Sequence, residues 1–363
     1  MHRNIVENNK AVKFLFINPY LCNDTNLISF VFLMKYHLNI TVPKYPFEIE
    51  HHHNIFLMGS CFAENLAAWL NERHFKVLSN PNGVLFNPMS IYITLKDIID
   101  NPHHFEKDFL FYDNAYWKSF LHQTHFYDKD KNKLIDHIIQ TQTTAHEFIK
   151  SSHFIFITFG SAYVYEHVQL KTVVANCHKL PSSTFEKKLL SVQQIVENYE
   201  VLFQKIKHIN PDVKIILSVS PVKYLAYGTI NNNISKSTLI LAVHHLCESH
   251  SDVFYFPAYE LITDDLRDYR FYKEDMAHPN ETAIKYVMKK FYDTMLSSAS
   301  QNIVNEIEKI ITAMQHQITD RNAPATHTFA HKMLQHCERM EKQYPHLNLN
   351  TEKEYFAKLL TSA

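Results

Sequence analysis

Asn54-Ile55-Phe56-Leu57-Met58-Gly59-Ser60-Cys61-Phe62-Ala63 is the stretch whose reading decides the fold. Asn54 to Met58 carries an apolar run of the kind found in a short buried strand. Gly59-Ser60 breaks the run. An amphipathic helix is predicted from about Phe62 to Arg73, with Leu66, Trp69 and Leu70 on one face. A serine at such a strand-to-helix junction can place its Oγ at the mouth of a sheet. Its own N–H then lies near a helix N-terminus, a natural donor to an oxyanion. The plainer alternative is that Ser60 is only an N-cap, a position serine favours.

Outward from this junction, strands and helices alternate. Phe75 to Leu78 reads as a second strand, Asn80-Pro81-Asn82-Gly83 as a turn, and Pro88 to Asp100 as a helix with proline at its first position. Pro102 to Asn132 is aromatic-rich and reads as an insertion with a hairpin. Lys133 to Lys150 is helical, and Phe154 to Thr158 is a strand ending near Gly160. After a longer mixed stretch come a helix from about Leu189 to Ile209, a strand from Lys214 to Val219 and a helix from Ser235 to Ser249. A strand from Val253 to Phe256 and a helix from Asn280 to Leu296 complete the series. This order predicts an α/β fold with a parallel sheet covered on both faces, its ligand site beyond the C-terminal ends of the strands. From Ser297 onward the pattern is helical only, in three pieces broken at Asn322-Ala323-Pro324 and Tyr344-Pro345. The expected organisation is an N-terminal extension over residues 1–33, a main domain over 34–296 and a C-terminal helical appendage over 297–363. The rival reading of the start is that Lys13 to Ile17 adds a strand to the main sheet.

Composition narrows the function classes. Of 363 residues, 46% are hydrophobic and 20% charged, and the formal net charge is -1. That balance makes no electrostatic case for nucleic acid or an anionic membrane. No apolar run reaches the roughly 18 residues of a membrane span. The five cysteines are widely spaced without metal spacing, which points to a reducing, cytoplasmic setting. The chain holds only four glycines, Gly59, Gly83, Gly160 and Gly228, against roughly 25 expected at average usage. A chain so sparing with glycine keeps it where the backbone demands it.

Asp275-Met276-Ala277-His278 places a carboxylate and an imidazole three residues apart, so that one turn can bring them together. The carboxylate can hold one ring N–H and leave the other nitrogen free as a base. By itself the spacing is weak: 25 histidines make a chance Asp-x-x-His expected, and Asp100-Asn101-Pro102-His103 is a second instance. The alternative is a surface pair beside a helix cap. Cys61 beside Ser60 is a rival nucleophile, since a helix N-terminus lowers a thiol pKa. His51-His52-His53 looks metal-like, but adjacent residues rarely converge on one ion, and a solvated turn is the expected reading. Cys177-His178 has no second ligand pair at metal spacing.

Taken together, these pieces resemble the GSCFA-domain family, a bacterial branch of the SGNH/GDSL hydrolases. The resemblance rests on Gly59-Ser60-Cys61-Phe62-Ala63, Asn82-Gly83-Val84-Leu85-Phe86-Asn87-Pro88 and Thr158-Phe159-Gly160-Ser161-Ala162. It continues in Val174-Ala175-Asn176-Cys177-His178-Lys179-Leu180-Pro181, Ser218-Val219-Ser220-Pro221-Val222, Asp268-Tyr269-Arg270-Phe271-Tyr272 and Asp275-Met276-Ala277-His278-Pro279. It covers roughly Leu38 to Leu296. It implies a flavodoxin-like three-layer α/β/α fold. It also implies Ser60 as nucleophile, Gly83 as an oxyanion donor, Gly160 in the third conserved block, and Asp275 and His278 as the fifth. One departure stands out. The wider superfamily has Gly-x-Asn-Asp in the third block, its asparagine donating to the oxyanion. Here the run is Gly160-Ser161-Ala162-Tyr163.

The expectation that follows is a serine esterase. His278, held by Asp275, deprotonates Ser60, and the N–H groups of Ser60 and Gly83 receive the oxyanion. Asn176 is the candidate replacement donor, with His178 the runner-up; the alternative is that both only brace their loop. Gly160, His178, Arg267 and Arg270 are candidate substrate-binding residues, and a solvated turn is the other reading of the two arginines. No metal or organic cofactor is required. The expected substrate is a small-molecule or carbohydrate ester, an O-acetylated carbohydrate above others, by analogy with the superfamily. The rivals are an O-acyltransferase with the same triad and a catalytically silent carbohydrate-binding module. The sequence does not fix an oligomeric state.

Overall fold

The structure, a computed structural model, describes residues 38–361. The expected extension over residues 1–33 and the alternative strand Lys13 to Ile17 lie outside the described residues.

Five parallel strands form the central sheet: β1 (Asn54–Gly59), β2 (Lys76–Ser79), β3 (Phe154–Phe159), β4 (Lys214–Val219) and β5 (Val253–Tyr255). Their order across the sheet is β2-β1-β3-β4-β5, with every pair parallel. This is the flavodoxin-like order expected from the resemblance. The alternation of side chains explains why the strands are apolar throughout. Ile55 and Leu57 pack with α1 (Cys61–Glu72) on one face. Phe56, Met58, Ile155 and Ile157 pack on the other with residues of α2 (Pro88–Asp100), α3 (Lys131–Lys150), α4 (Val192–Ile209) and α5 (Gly228–Ser249). The last helix of this unit, α6 (Glu281–Met295), joins α1 on its face.

Caps set the helix entrances. Asn87 caps α2 and has Pro88 at the first turn; Ser191 and Gln194 close a capping box on α4; Asn280 caps α6 through the Ala283 N–H. Helix α5 begins at Gly228, earlier than the expected Ser235. Its first turns expose Ile230 and Ile234, so they lack the inward apolar stripe that marks a helix in sequence. The aromatic-rich insertion holds the expected hairpin, Leu110–Asp113 paired with Tyr116–Ser119. Asn114 and Ala115 both take positive φ in its tight turn. The mixed stretch after Gly160 contains a second antiparallel sheet, Tyr163–His167 between Thr172–Val174 and Phe185–Leu189. Its half-exposed strands mix charges with apolar residues and carry little periodic signal.

Beyond the sheet, α7 (Ser298–Met314), α8 (Pro324–Gln343) and α9 (Asn350–Thr361) surround their own apolar core of Ile303, Ile307, Ile310, Cys337, Met340 and Phe356. The breaks between them fall where the sequence placed them. Among the described residues no helix is long and apolar enough to cross a membrane.

Candidate active site

Strand register brings the special segments together. Gly59 pairs with Thr158, and Thr158 with Ser218, so β1, β3 and β4 end in one row. The residues that follow each end, Ser60, Gly160 and Ser220, therefore lie along one edge of the sheet. Ser60 stands where the strand order reverses, between β1 and β3, the usual crevice of an open α/β sheet. The glycines there are required by geometry. Gly59 has φ +135°, and a Cβ on it would sit 2.2 Å from the Thr158 carbonyl oxygen. Gly83 has φ +82°, and a Cβ would meet Gln123 at 2.5 Å.

Ser60 is the N-cap of α1, 2% exposed, with Oγ accepting the Phe62 N–H at 3.4 Å. The cap reading and the nucleophile reading are thus compatible in one residue. Asp275 and His278 do meet. Asp275 Oδ1 accepts the backbone N–H groups of His278 and Ala277 at 2.9 Å each, and Oδ2 lies 2.6 Å from His278 Nδ1. The His278 N–H, the Ala277 N–H and the imidazole, in that order, hold the carboxyl pKa down to about 2. A carboxylate can only accept, so Nδ1 carries a proton; in the neutral imidazole that leaves the lone pair on Nε2. The turn is closed by Lys273 N–H on the His278 carbonyl (2.8 Å), with Met276 in the left-handed region at φ 55°. The Lys223 N–H, donating to the Ala277 carbonyl at 3.0 Å, ties the turn to the loop after β4.

Ser60 and the expected Asp275–His278 pair are neighbours but not bonded. Phe62, Pro221, Val222 and Pro279 line one cavity of about 20 Å³, which places the start of α1 beside the end of the His278 turn. Among the described residues, no hydrogen bond joins Ser60 Oγ to the His278 ring. The imidazole is 44% exposed, whereas the serine is buried.

The expected oxyanion donors are engaged within the protein. The Ser60 N–H donates to the Thr158 carbonyl at 3.1 Å, because the β1–β3 ladder runs one residue past the strand. The Gly83 N–H donates to the Asn80 carbonyl at 2.8 Å, closing the turn. Asn176 Oδ1 accepts the His178 N–H at 2.7 Å, which fixes the oxygen of the carboxamide toward His178. His178 is buried with φ 50°; its Nε2 meets the Ser119 carbonyl at 2.8 Å, and its ring packs on Phe111 and Phe120. Those contacts join its loop to the hairpin insertion.

The Gly160 N–H donates to the Phe86 carbonyl at 2.7 Å, linking the ends of β3 and the Gly83 loop. Arg270 is exposed and pairs with Asp268 at 2.8 Å within its own turn; Arg267 takes a left-handed conformation at φ 35°. Neither arginine is brought to Ser60 by a hydrogen bond among the described residues. The Cys61 thiol is pushed up in pKa by burial, which disfavours the thiolate a rival nucleophile needs. His51 is not in a solvated turn: it is buried against the C-terminal helices, where its Nδ1 meets His346. No group of His, Cys, Asp and Glu among the described residues could hold a metal ion.

Sequence reasoning missed Lys236. It is 1% exposed on α5, and its Nζ donates to the carbonyls of Gly160 and Ser220, both at 2.6 Å. Burial lowers its pKa to about 7. It clamps the ends of β3 and β4 beside the crevice. In sequence it stands in a polar run that reads as solvated helix surface.

No curated protein matches the sequence. Among solved structures, the chain is similar to a carbohydrate esterase family 3 protein from Talaromyces cellulolyticus. Identity is 7% and the TM-score 0.32, over 71% of this chain and 99% of that one. It is similar to an acetyl xylan esterase from the rumen bacterium Butyrivibrio proteoclasticus at 9% identity and TM-score 0.31, over 75% and 66% of the two chains. It is also similar to a Streptococcus pneumonia protein provisionally described as a platelet activating factor, at 12% identity and TM-score 0.35, over 67% and 83%. At TM-scores this low the likeness assigns no activity to this chain. The family comparison is of a different kind: the GSCFA family model matches residues 54–291, and the C-terminal domain of GSCFA domain proteins matches residues 307–362. The chain belongs to the GSCFA family.

Proposed function

We propose that the chain is a serine esterase of the SGNH/GDSL type, with Ser60 as nucleophile, His278 as general base and Asp275 as the group that orients and stabilises the imidazolium. The observation that carries this reading is the 2.6 Å Asp275–His278 pair, which fixes the tautomer a base needs, on a turn beside the helix that Ser60 caps. Ser60 Oγ bonds to the acyl carbon as its proton passes to His278 Nε2 and the carbonyl electron pair moves to oxygen. Collapse expels the alcohol, which takes that proton. Water, deprotonated in turn by His278, releases the acid. The Ser60 and Gly83 N–H groups serve the oxyanion only as shared donors, since protein carbonyls hold them. Asn176 Nδ2 is proposed as a further donor. The scheme uses no metal or organic cofactor. The catalytic unit is residues 34–296, and residues 297–363 are a helical appendage.

A carbohydrate ester is the proposed substrate. Tyr224 and Tyr269, 43% and 60% exposed, are the aromatic residues proposed to contact a sugar ring. They flank Lys223, whose N–H holds the His278 turn and whose Nζ lies 4.1 Å over the Tyr269 ring. Gly160, Arg267 and Arg270 remain proposed substrate contacts, and His178 is proposed to support the loop that carries Asn176.

A silent binding module is the second reading. The engaged N–H groups and the missing Ser60–His278 bond favour it. The separating experiment is covalent labelling of Ser60 by a fluorophosphonate, with Ser60→Ala as control. Labelling of the wild type alone supports the esterase; no labelling supports the binding module. Product analysis with an added alcohol then separates hydrolysis from acyl transfer.

A further inference from the structure

The turn after β2 holds a donor that the scheme above leaves unused. Asn80 Oδ1 accepts the Gly59 N–H at 2.8 Å. An N–H can be met only by an acceptor, so this bond settles which end of the carboxamide is which: oxygen toward Gly59, Nδ2 away from it. Asn80 Nδ2 is closed off from solvent and has no hydrogen-bond partner. A buried, unpaired donor is destabilising, and folded proteins keep few of them. The residue that carries it is held firmly. Its N–H donates to the Leu57 carbonyl at 2.9 Å, and its φ of 43° lies in the left-handed region that asparagine tolerates.

Three main-chain donors around this side chain are already spent. Ser60 N–H is on Thr158, Gly83 N–H is on the Asn80 carbonyl, and Gly59 N–H is on Asn80 Oδ1. The Asn80 carboxamide N–H₂ is uncommitted, on a side chain whose oxygen holds the N–H of Gly59, the residue before the nucleophile. We propose that Asn80 is a catalytic residue whose Nδ2 donates to the oxyanion formed at Ser60, supplying the donor that the run Gly160-Ser161-Ala162-Tyr163 lacks. The proposal rests on the serine-esterase reading. Asn80 transfers no proton; the Oγ proton still goes to His278, and Asn80 contributes a hydrogen bond to the oxygen that gains the electron pair. The insertion meets this turn through Gln123, whose N–H donates to the Asn82 carbonyl (3.0 Å) and whose Oε1 accepts the Val84 N–H (3.1 Å), with Thr124 and His125 exposed beyond it. The proposal requires the bound ester to open the turn around Nδ2.

Two substitutions and one spectrum test the proposal. Asn80→Asp keeps the left-handed backbone and the acceptor for Gly59 but removes the donor. Asn80→Gly keeps the backbone and removes both without adding charge. Both are expected to lower kcat on the order of 10²–10³-fold, with KM changed by less than about threefold. Asn80→Asp places an unpartnered carboxylate oxygen in a buried position and should melt below the wild type, so kcat is compared at a temperature where both are folded. A wild-type kcat in either folded variant overturns the proposal. The direct readout uses the full-length ¹⁵N-labelled chain with Ser60 phosphonylated by an alkyl fluorophosphonate. The P–O oxygen then stands where the oxyanion would. One Asn80 side-chain N–H resonance should move downfield. An adduct that leaves both resonances unmoved overturns the role of Asn80 and leaves the esterase standing. A wild-type chain that takes no label overturns both.

Discussion

His51 Nδ1 lies 3.0 Å from His346 Nε2 and joins the residue leading into the first strand to the C-terminal helical unit. The other His51 nitrogen meets the Arg73 carbonyl at 2.8 Å. A carbonyl only accepts, so Nε2 carries the His51 proton and Nδ1 accepts from His346. Protonating His51 would set two N–H groups against each other. Burial, above all, lowers the His51 pKa to about 4 and also depresses that of His346. Around them, Arg73 bonds to Glu308 at 2.8 Å and His74 to Glu352 at 2.9 Å.

The pH dependence of this joint follows from linkage. The unfolded His51 titrates near 6.5 and the folded one near 4, so between those values the unfolded state binds more protons. Stability from this group is full above about pH 6.5 and is lost as pH falls through 4. Hydrogen exchange should show α7 and α9 losing protection between pH 7 and 5 while β1 and β3 keep theirs. His51→Gln should flatten that response. Protection in α7 and α9 that tracks only the intrinsic exchange rate across this range would reject the idea.

The proposed triad makes a second prediction. Ser60→Ala and His278→Ala should each lower hydrolysis of an activated acetate ester by at least about a thousandfold, since the groups act as a unit. Asp275→Asn should lower it on the order of 10⁴-fold, because an amide no longer enforces the Nδ1–H tautomer. Asp275→Asn also keeps an acceptor for the Ala277 and His278 N–H groups, so its melting temperature should change little. Wild-type turnover in Ser60→Ala would end the assignment.

Asn176 is tested by a conservative pair. Its Oδ1 braces the loop through the His178 N–H. Asn176→Asp keeps that brace and replaces Nδ2 by oxygen, whereas Asn176→Ala loses both. If Nδ2 serves the oxyanion, both variants should lose roughly tenfold or more in kcat, with the aspartate variant as stable as the wild type. A fully active Asn176→Asp with a less stable Asn176→Ala would reduce Asn176 to a loop brace.

Much of this architecture is readable from local pattern. The apolar runs Ile55 to Met58 and Phe154 to Thr158 announce strands covered on both faces, and Pro88 and Asn280 mark helix entrances. The Asp275–His278 pair is also local, three residues apart and set by one turn. What the pattern does not carry is register and docking. The commitment of the Ser60 N–H to Thr158 depends on Gly59 pairing with Thr158 and not one residue further on. His51 reads as part of a polar turn until a helical unit some 295 residues away in sequence brings His346 against it. The sheet around Tyr165 escapes notice because its strands are short and half-exposed.

Lys236 escapes because it stands in a polar run and only tertiary packing buries it, and its burial yields a last prediction. Its amine sits between two carbonyls, those of Gly160 and Ser220. Burial disfavours the charged form and lowers the pKa from 10.5 to about 7. Below pH 7 both folded and unfolded chains hold the proton, and the folded chain bears a buried charge. Between 7 and 10.5 the unfolded chain keeps a proton that the folded chain has shed, so this group's contribution to stability rises with pH. Lys236→Met removes that titration. The wild-type melting temperature, measured relative to the Lys236→Met protein, should therefore climb by a few degrees from pH 7 to pH 9.5. The substitution should also loosen the Gly160 and Ser220 peptides and lower kcat, since both lie on the edge of the sheet that carries Ser60. A difference in melting temperature that stays flat over this pH range would show that Lys236 remains charged in the fold, held by its two carbonyls more strongly than burial opposes it.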